Sequence, residues 1–336
     1  MRIASGYPEE TLVVSLSIQD VAASAEQAAR RVADLVHETP LEYSPFFSKK
    51  FSADVYLKLE NEQRTGSFKL RGASNRLMTL SPEQRAKGCV AASSGNHGAA
   101  VAYAMRALDT SGVIFVPEQT SKAKVEAIRS YGGEVRFFGN DGLDTEQHAR
   151  EFAESNGMFY LSPYNDAEVI AGQGSCGIEI ARQLADVDAV FVAVGGGGLI
   201  SGVGSVLKMK NPEIRIIGCQ PAASPVMAKS VQAGCILDMP SEPTLSDGTA
   251  GGIEADAITF ELCRQLVDEF VLVSEAEIAQ AMREFSAEQQ SKIEGAAAVA
   301  IAALNHCRES LSGKKVVIII CGGNISQETL DASLGL

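Results

Sequence analysis

Apolar and polar positions along this chain fall into helical and strand periods that alternate from its first third onward. Ser17 and Asp20 resemble a helix start, helical spacing runs to about Val36, and Pro40 stops it. Val55–Leu59 reads as a strand, residues 61–67 as a polar loop, and Phe68 to about Met78 as a helix. Strands are then predicted at Val90–Ala92, Val113–Val116, Val135–Phe138, Phe159–Leu161, Ala189–Val194 and Ile214–Cys219. The intervening helices end near Leu108, Tyr131 and Ser155, and a longer one spans about Ala167–Leu184. Strands alternating with helices imply α/β architecture with mainly parallel sheets covered on both faces. After Pro221 the pattern weakens, and Pro225, Pro240 and Pro243 mark loop. Ser274 and Glu277 form a capping box for a helix to about Gln289; Ala296–His306 reads as a helix and Lys315–Cys321 as a buried strand.

Composition narrows the class. Apolar residues make up 46% and charged residues 21% of 336, enough chain for a real core and ordinary for a globular protein. The net charge of −13 works against nonspecific nucleic-acid binding and against an anionic membrane surface. Cys89, Cys176, Cys219, Cys235, Cys263, Cys307 and Cys321 are odd in number and lack C-x-x-C spacing, so neither a disulfide framework nor a zinc site is expected. A reducing, cytoplasmic compartment follows. Met1 to Ser17 lacks a basic start followed by a long apolar run, and Ala296–Leu304 and Val316–Cys321 are short of the ~20 residues that span a bilayer.

The first chemical signal is Gly195–Gly198, placed between a strand and a helix opening at Leu199. Four glycines leave backbone N–H groups bare beside a helix N-terminus, which suits a phosphate. A tight turn with close packing is the plainer alternative, but four adjacent glycines cost conformational entropy. A dinucleotide fingerprint fails, because its last glycine would fall on Ile200 or Ser201, and Gln220 stands where an acidic residue should end the second strand. A P-loop fails because Gly202 is followed by Val203. A small phosphorylated cofactor fits best.

Four strings now combine: residues 57–73 (Leu-Lys-Leu-Glu-Asn-Glu-Gln-Arg-Thr-Gly-Ser-Phe-Lys-Leu-Arg-Gly-Ala), 93–98 (Ser-Ser-Gly-Asn-His-Gly), 169–174 (Val-Ile-Ala-Gly-Gln-Gly) and Gly195–Leu199. Together they resemble the fold-type-II pyridoxal-phosphate enzymes, and within them the serine/threonine dehydratases and serine racemases, from about Ser17 to Ser326. The resemblance implies a tryptophan synthase β-like fold with two open, parallel-rich twisted sheets covered by helices. It implies a discontinuous large domain, 1–85 and 166–336, with a small domain, 86–165, inserted.

By the same resemblance Lys69 carries pyridoxal 5'-phosphate covalently and Gly195, Gly196, Gly197, Gly198 and Leu199 cradle its phosphate. Asn96 meets the ring hydroxyl, Phe68 packs beside the cofactor, and Glu294 faces it. Ser93, Ser94, Gly95, Asn96 and His97 form the substrate-carboxylate loop. His97 is read as a structural hydrogen-bonder rather than a general base. Cys321 matches a position near the pyridine nitrogen where serine is frequent; a neutral thiol there still donates weakly, leaves the ring unprotonated and suits elimination.

The expected reaction is dehydration and deamination of a small β-hydroxy-amino acid such as L-serine or L-threonine, with Lys69 as the base. Ser94 keeps racemisation open, as a second group on the opposite cofactor face. Racemase-like members hold a divalent cation through acidic residues where this chain has Gln220 and Val226, so no metal is expected there. A β-replacement synthase usually carries threonine at His97, and a noncatalytic scaffold fits poorly with the retained Lys69, Asn96 and glycine loop. No regulatory domain is expected after Cys321. Ala250–Glu254, after Ser246–Thr249, is read as a substrate-facing loop. A homodimer is implied by the resemblance alone.

Overall fold

A computed structural model of the protein describes residues 16–327, 330 and 331; of the stretch Met1–Ser17, residues 1–15 lie outside them. Ser17 accepts from the Asp20 N–H and opens α1 (Ile18–Val32), which buries Val21, Ala25, Ala28 and Val32 on one face. The helix stops four residues before the expected Val36. Next come β1 (Leu41–Tyr43), α2 (Pro45–Phe51), β2 (Asp54–Lys58), α3 (Lys69–Thr79) and α4 (Pro82–Lys87). A second run follows: β3 (Cys89–Ala92), α5 (Asn96–Ala107), β4 (Gly112–Val116), α6 (Lys122–Ser130), β5 (Glu134–Phe137), α7 (Gly142–Ser155) and β6 (Phe159–Tyr160). The remainder holds α8 (Ala167–Gln183), β7 (Ala189–Ala193), α9 (Gly198–Lys210), β8 (Arg215–Pro221), α10 (Val226–Ala233), α11 (Ile258–Leu266), β9 (Glu269–Val273), α12 (Glu275–Gln289), α13 (Gly295–Leu311) and β10 (Lys315–Ile319).

Among the described residues these strands form two sheets. One has the order β1-β2-β10-β7-β8-β9, parallel except for the antiparallel β1–β2 edge; the other has the order β5-β4-β3-β6 and is parallel throughout. Central strands are apolar without alternation: every residue of β7, Ala-Val-Phe-Val-Ala, is buried, as a sheet covered on both faces requires. The alanine-rich α13 is buried along most of its length against the large sheet's core. No described helix is long and apolar enough to cross a membrane.

The short elements depart from the sequence expectation. Pro225 does not mark loop: it stands at the N-cap of α10. Pro45 and Pro82 occupy the first turns of α2 and α4, behind Ser44 and Ser81 caps. Proline lacks an N–H that the first turn cannot use anyway, so it starts these helices rather than ending them. The weak pattern beyond Pro221 conceals α10, α11 and the edge strand β9, each nine residues or fewer.

The Val169–Gly174 string explains how α8 fixes its neighbours. A Cβ on Gly172 would lie 2.6 Å from the Arg71 carbonyl oxygen, and one on Gly174 would lie 2.6 Å from Ala25 Cβ. Bare backbone therefore lets α8 approach both α3 and α1, and α3 carries Lys69.

Candidate active site

The site forms where strand ends meet. After β10, Cys321 and Gly322 run antiparallel to Ser67 and Phe68: Phe68 N–H donates to Cys321 O at 3.1 Å, and Gly323 N–H to Gly66 O at 3.0 Å. This pairing delivers Lys69, the first residue of α3, beside the end of β10. From the adjacent β7 comes Val194 and the glycine loop, and from the end of β3 in the other sheet come Ser93 and the start of α5. Open parallel sheets place ligands at such carboxyl ends.

Four helix N-termini converge here, those of α3, α5, α9 and α13, and none has a side-chain cap. Of the other helices, α1, α6, α7, α8 and α12 carry Ser or Asp caps, while α10 and α11 have none. First-turn N–H groups lack partners within their own helix, so an uncapped start offers them to an anion. At α9 the geometry is most specific. Gly197 has φ +85°, the left-handed region, and a Cβ there would fall 2.9 Å from Cys263 Sγ. A Cβ on Gly196 would fall 2.4 Å from the Tyr164 ring. Thr259 Oγ1 donates to Gly196 O at 2.7 Å and pins the turn from below. The cradle is thus built from backbone, as a phosphate group requires.

Lys69 Nζ donates to the Pro163 carbonyl at 2.9 Å and stands 5.2 Å from the centroid of the half-buried Phe68 ring. Burial lowers its pKa to about 8, partly offset by Cys321 and Glu294. An amine so placed is about half neutral near pH 8, and so available as a nucleophile or base. Glu294, at the N-cap of α13, is 6% exposed, and burial raises its pKa to about 7 against the hydrogen bond from Asn96. Asn96 Nδ2 donates to both Glu294 oxygens at 2.9 Å, while Asn324 Nδ2 donates to Asn96 Oδ1 at 2.7 Å and to Thr65 O at 2.8 Å. This chain of amides ties the end of β3 to the end of β10. Cys321 is buried, and burial, reinforced by Glu294, holds its thiol well above the ordinary range.

The other expected residues divide. Ser93 Oγ accepts from Gly95 N–H at 3.2 Å and shapes the turn. Ser94 is half-buried and makes no side-chain hydrogen bond among the described residues, while Gly95 is exposed. His97 turns inward: it is buried, its Nε2 lies 2.9 Å from Leu161 O, and burial together with the nearby Lys69 depresses its pKa to about 3. A neutral, tethered imidazole is a structural hydrogen-bonder. Gln220 donates to Val194 O, directly behind the glycine loop, and accepts from Ala228 N–H, and Val226 is a buried apolar residue.

The geometry adds residues that the sequence did not single out. Tyr164 packs its ring on Gly196, and its hydroxyl accepts from Glu254 N–H at 2.8 Å. Pro163 supplies the acceptor for Lys69, Asn324 the brace for Asn96, and Thr249 lies against Gly195, 3.1 Å from where a Cβ would stand. One signal was available: Pro163–Asn165 is a polar turn between a strand end and the Asp166 cap of α8, the same kind of place as residues 93–96.

Known proteins resemble this chain over most of its length. The chain is 40% identical over 316 residues to the L-threonine ammonia-lyase of Thermotoga maritima, covering 94% of this chain and 77% of that protein. Its fold superposes on the processed form of threonine deaminase isoform 2 from Solanum lycopersicum with a TM-score of 0.90, at 34% identity and 99% coverage of both chains. It superposes on maize serine racemase with a TM-score of 0.88, at 33% identity, covering 94% of this chain and 96% of that one. A model of the pyridoxal-phosphate dependent enzyme family matches residues 32–322. Matched by that family model over residues 32–322 and 40% identical to a relative over 94% of its length, the chain belongs to the pyridoxal-phosphate-dependent enzymes.

Proposed function

We propose that this enzyme dehydrates and deaminates a small β-hydroxy-amino acid, such as L-serine or L-threonine, to a 2-oxo acid and ammonia. The observation that carries the reading is Lys69: its amine has a pKa of about 8 and lies where the uncapped starts of α5 and α9 converge. Pyridoxal phosphate, when bound, supplies the electron sink that makes the substrate Cα proton removable. Gly195–Leu199 would hold its phosphate, Asn96 would meet the ring hydroxyl, Phe68 and Glu294 would flank the ring, and the Cys321 thiol would serve the pyridine nitrogen. A thiol held far above its ordinary pKa is neutral, so it donates weakly without protonating the ring. That favours elimination over reactions needing a stronger sink.

Ser93, Ser94, Gly95 and Asn96, with the N–H groups of α5, bind the substrate carboxylate. His97 supports this loop from behind, through Leu161. Lys69 removes the Cα proton, and the β-hydroxyl leaves as water, its added proton balanced by the one Lys69 took up; hydrolysis of the released enamine gives the oxo acid and ammonia. Burial lowers the cost of keeping this amine neutral between turnovers. We read residues 1–85 with 166–336 as the cofactor-bearing domain and 86–165 as a smaller one bringing the carboxylate loop to it, in a cytosolic homodimer.

One observation favours a second activity. Ser94 has no local partner for its hydroxyl, which leaves it available to a ligand, as racemisation on the opposite face requires. A panel of L- and D-β-hydroxy-amino acids, scored for ammonia, oxo acid and inverted enantiomer, separates the two. Oxo acid with an equal yield of ammonia supports elimination. Inverted amino acid without ammonia, lost in Ser94→Ala, makes the enzyme a racemase.

A further inference from the structure

Residues 246–257 cross the mouth of the site from one rim to the other. At the start, Ser246 and Thr249 are joined through their hydroxyls at 2.5 Å in a 3-10 turn. A Cβ on Gly248 would lie 3.4 Å from Ala296 Cβ and 3.7 Å from Glu294 Oε1, so this turn borders Glu294. Thr249 then abuts Gly195 of the phosphate cradle. Farther on, Gly251 N–H donates to Ser224 Oγ at 3.1 Å and Ser241 Oγ at 3.2 Å. Between these points Ala250, Gly251 and Gly252 are exposed, and Cβ atoms on the two glycines would meet nothing within 4 Å. A segment this bare has little packing of its own to hold it.

Its far end is clasped instead. Glu254 N–H donates to Tyr164 Oη at 2.8 Å, and Glu254 Oε2 accepts from Arg150 Nη2 at 2.8 Å and Asn165 Nδ2 at 3.1 Å. Asn165 Oδ1 also accepts from Ile258 N–H at 3.0 Å, where α11 begins. Arg150 belongs to α7, beside the small sheet; its guanidinium lies 4.3 Å from the Tyr160 ring centroid and also pairs with Glu146. The clasp therefore joins the strap to the small sheet's α7 and to the Pro163–Asn165 turn. That turn supplies the Lys69 acceptor and covers Gly196. At the near end the Lys124–Asp247 pair, 3.4 Å apart and exposed on both sides, adds little.

We propose that Tyr164 and Glu254 are positioning residues that hold strap 246–254 as the wall against which the substrate's β-substituent fits, so that they set substrate affinity rather than the chemical step. This rests on the elimination reading above. The residues act through the strap backbone: Tyr164 gives the half-buried Glu254 N–H its acceptor, and Glu254 gives Arg150 a second carboxylate and Asn165 its acceptor. Loosening the strap widens the wall but leaves Lys69 and the glycine cradle in place.

The test uses holoenzyme carrying Tyr164→Phe, Glu254→Ala or Glu254→Gln. Phenylalanine keeps the ring on Gly196 and loses only the acceptor; glutamine keeps an acceptor for Asn165 or Arg150. The expected result is a KM for serine or threonine raised roughly fivefold in Tyr164→Phe and roughly tenfold in Glu254→Ala, with partial rescue in Glu254→Gln. The kcat stays within about twofold and the cofactor chromophore is unchanged, since neither change touches the reacting atoms. Amide hydrogen exchange across 247–254 rises in the same order. An unchanged KM, or unchanged exchange, overturns the proposal, as does a parallel fall in kcat, chromophore and melting temperature. If unmodified holoenzyme eliminates nothing, the functional reading fails by itself, and exchange still decides whether the clasp holds the strap.

Discussion

Lys69 and Arg71 sit two residues apart on α3, and their surroundings treat positive charge in opposite ways. Arg71 is fully buried and saturated: Nε and Nη2 donate to Glu60 at 2.7 Å, and Nη1 and Nη2 donate to Glu179 at 2.6 and 2.8 Å. Lys58 Nζ, also fully buried, adds 2.6 Å to Glu179 and 2.7 Å to the Thr39 carbonyl. Two cations and two carboxylates balance, so although burial alone would lower the Arg71 pKa, Glu60 and Glu179 hold it well above its ordinary value. Lys69 has a carbonyl and no paired carboxylate, and burial pulls it down to about 8. One turn of helix thus holds a cation that cannot lose its proton and an amine that readily does. The saturated side anchors α3 to β2 and α8; the unsaturated side is left free to react.

Breaking that contrast at Lys69 has the largest effect. Lys69→Ala is expected to lower turnover by at least ~10³-fold and to remove the cofactor chromophore, while the melting temperature holds or rises, because no counter-charge is left unpaired. Arg71→Leu acts on the other side. It strands Glu60 in the core, leaves Glu179 with Lys58 alone, and costs about 3–5 kcal/mol of stability, read by denaturant unfolding. Arg71→Lys, which keeps the charge but not the planar fork, costs less.

Glu294 sharpens the comparison because it too is buried without a cation. Its folded pKa of about 7 lies above the ordinary 4.5, so the folded chain binds the extra proton. In cofactor-stripped protein this group's contribution is intact below pH 4.5, declines as pH rises, and is fully lost above about 7. The loss is on the order of 3 kcal/mol, and Glu294→Gln flattens that slope. A smaller effect belongs to Lys69 itself. Capture of pyridoxal phosphate by stripped protein, followed by absorbance, should speed up with pH and level off above about 8, where the amine is neutral. A plateau only near 10.5 means the amine is not desolvated.

The sequence carried the unsaturated side better than the saturated one. Gly195–Leu199 lies at a strand-to-helix junction, which the alternation of periods locates directly; Lys69 and the residue 93–97 loop lie at such junctions too, but their roles came through resemblance. Glu294, Asn96 and Cys321 met them only through resemblance, since the Asn96 side chain alone reaches Glu294 and Asn324, 198 and 228 positions away. Arg71 stood in the quoted string, yet nothing local shows that its second carboxylate is Glu179, 108 residues on. Tyr164 and the Glu254 clasp were illegible for the same reason, although Ala250–Glu254 was placed near the substrate. Helices opened by Pro45, Pro82 and Pro225 escaped because proline marks starts as well as stops.

The central claim is that Lys69 is the amine that holds pyridoxal phosphate. Borohydride reduction of the holoenzyme, then protease digestion and mass spectrometry, reads this directly. The account predicts the pyridoxyl phosphate mass on the peptide containing Lys69 and no labelling of the Lys69→Ala protein. Label on Lys58, Lys124 or another lysine, or undiminished label in that variant, would contradict it.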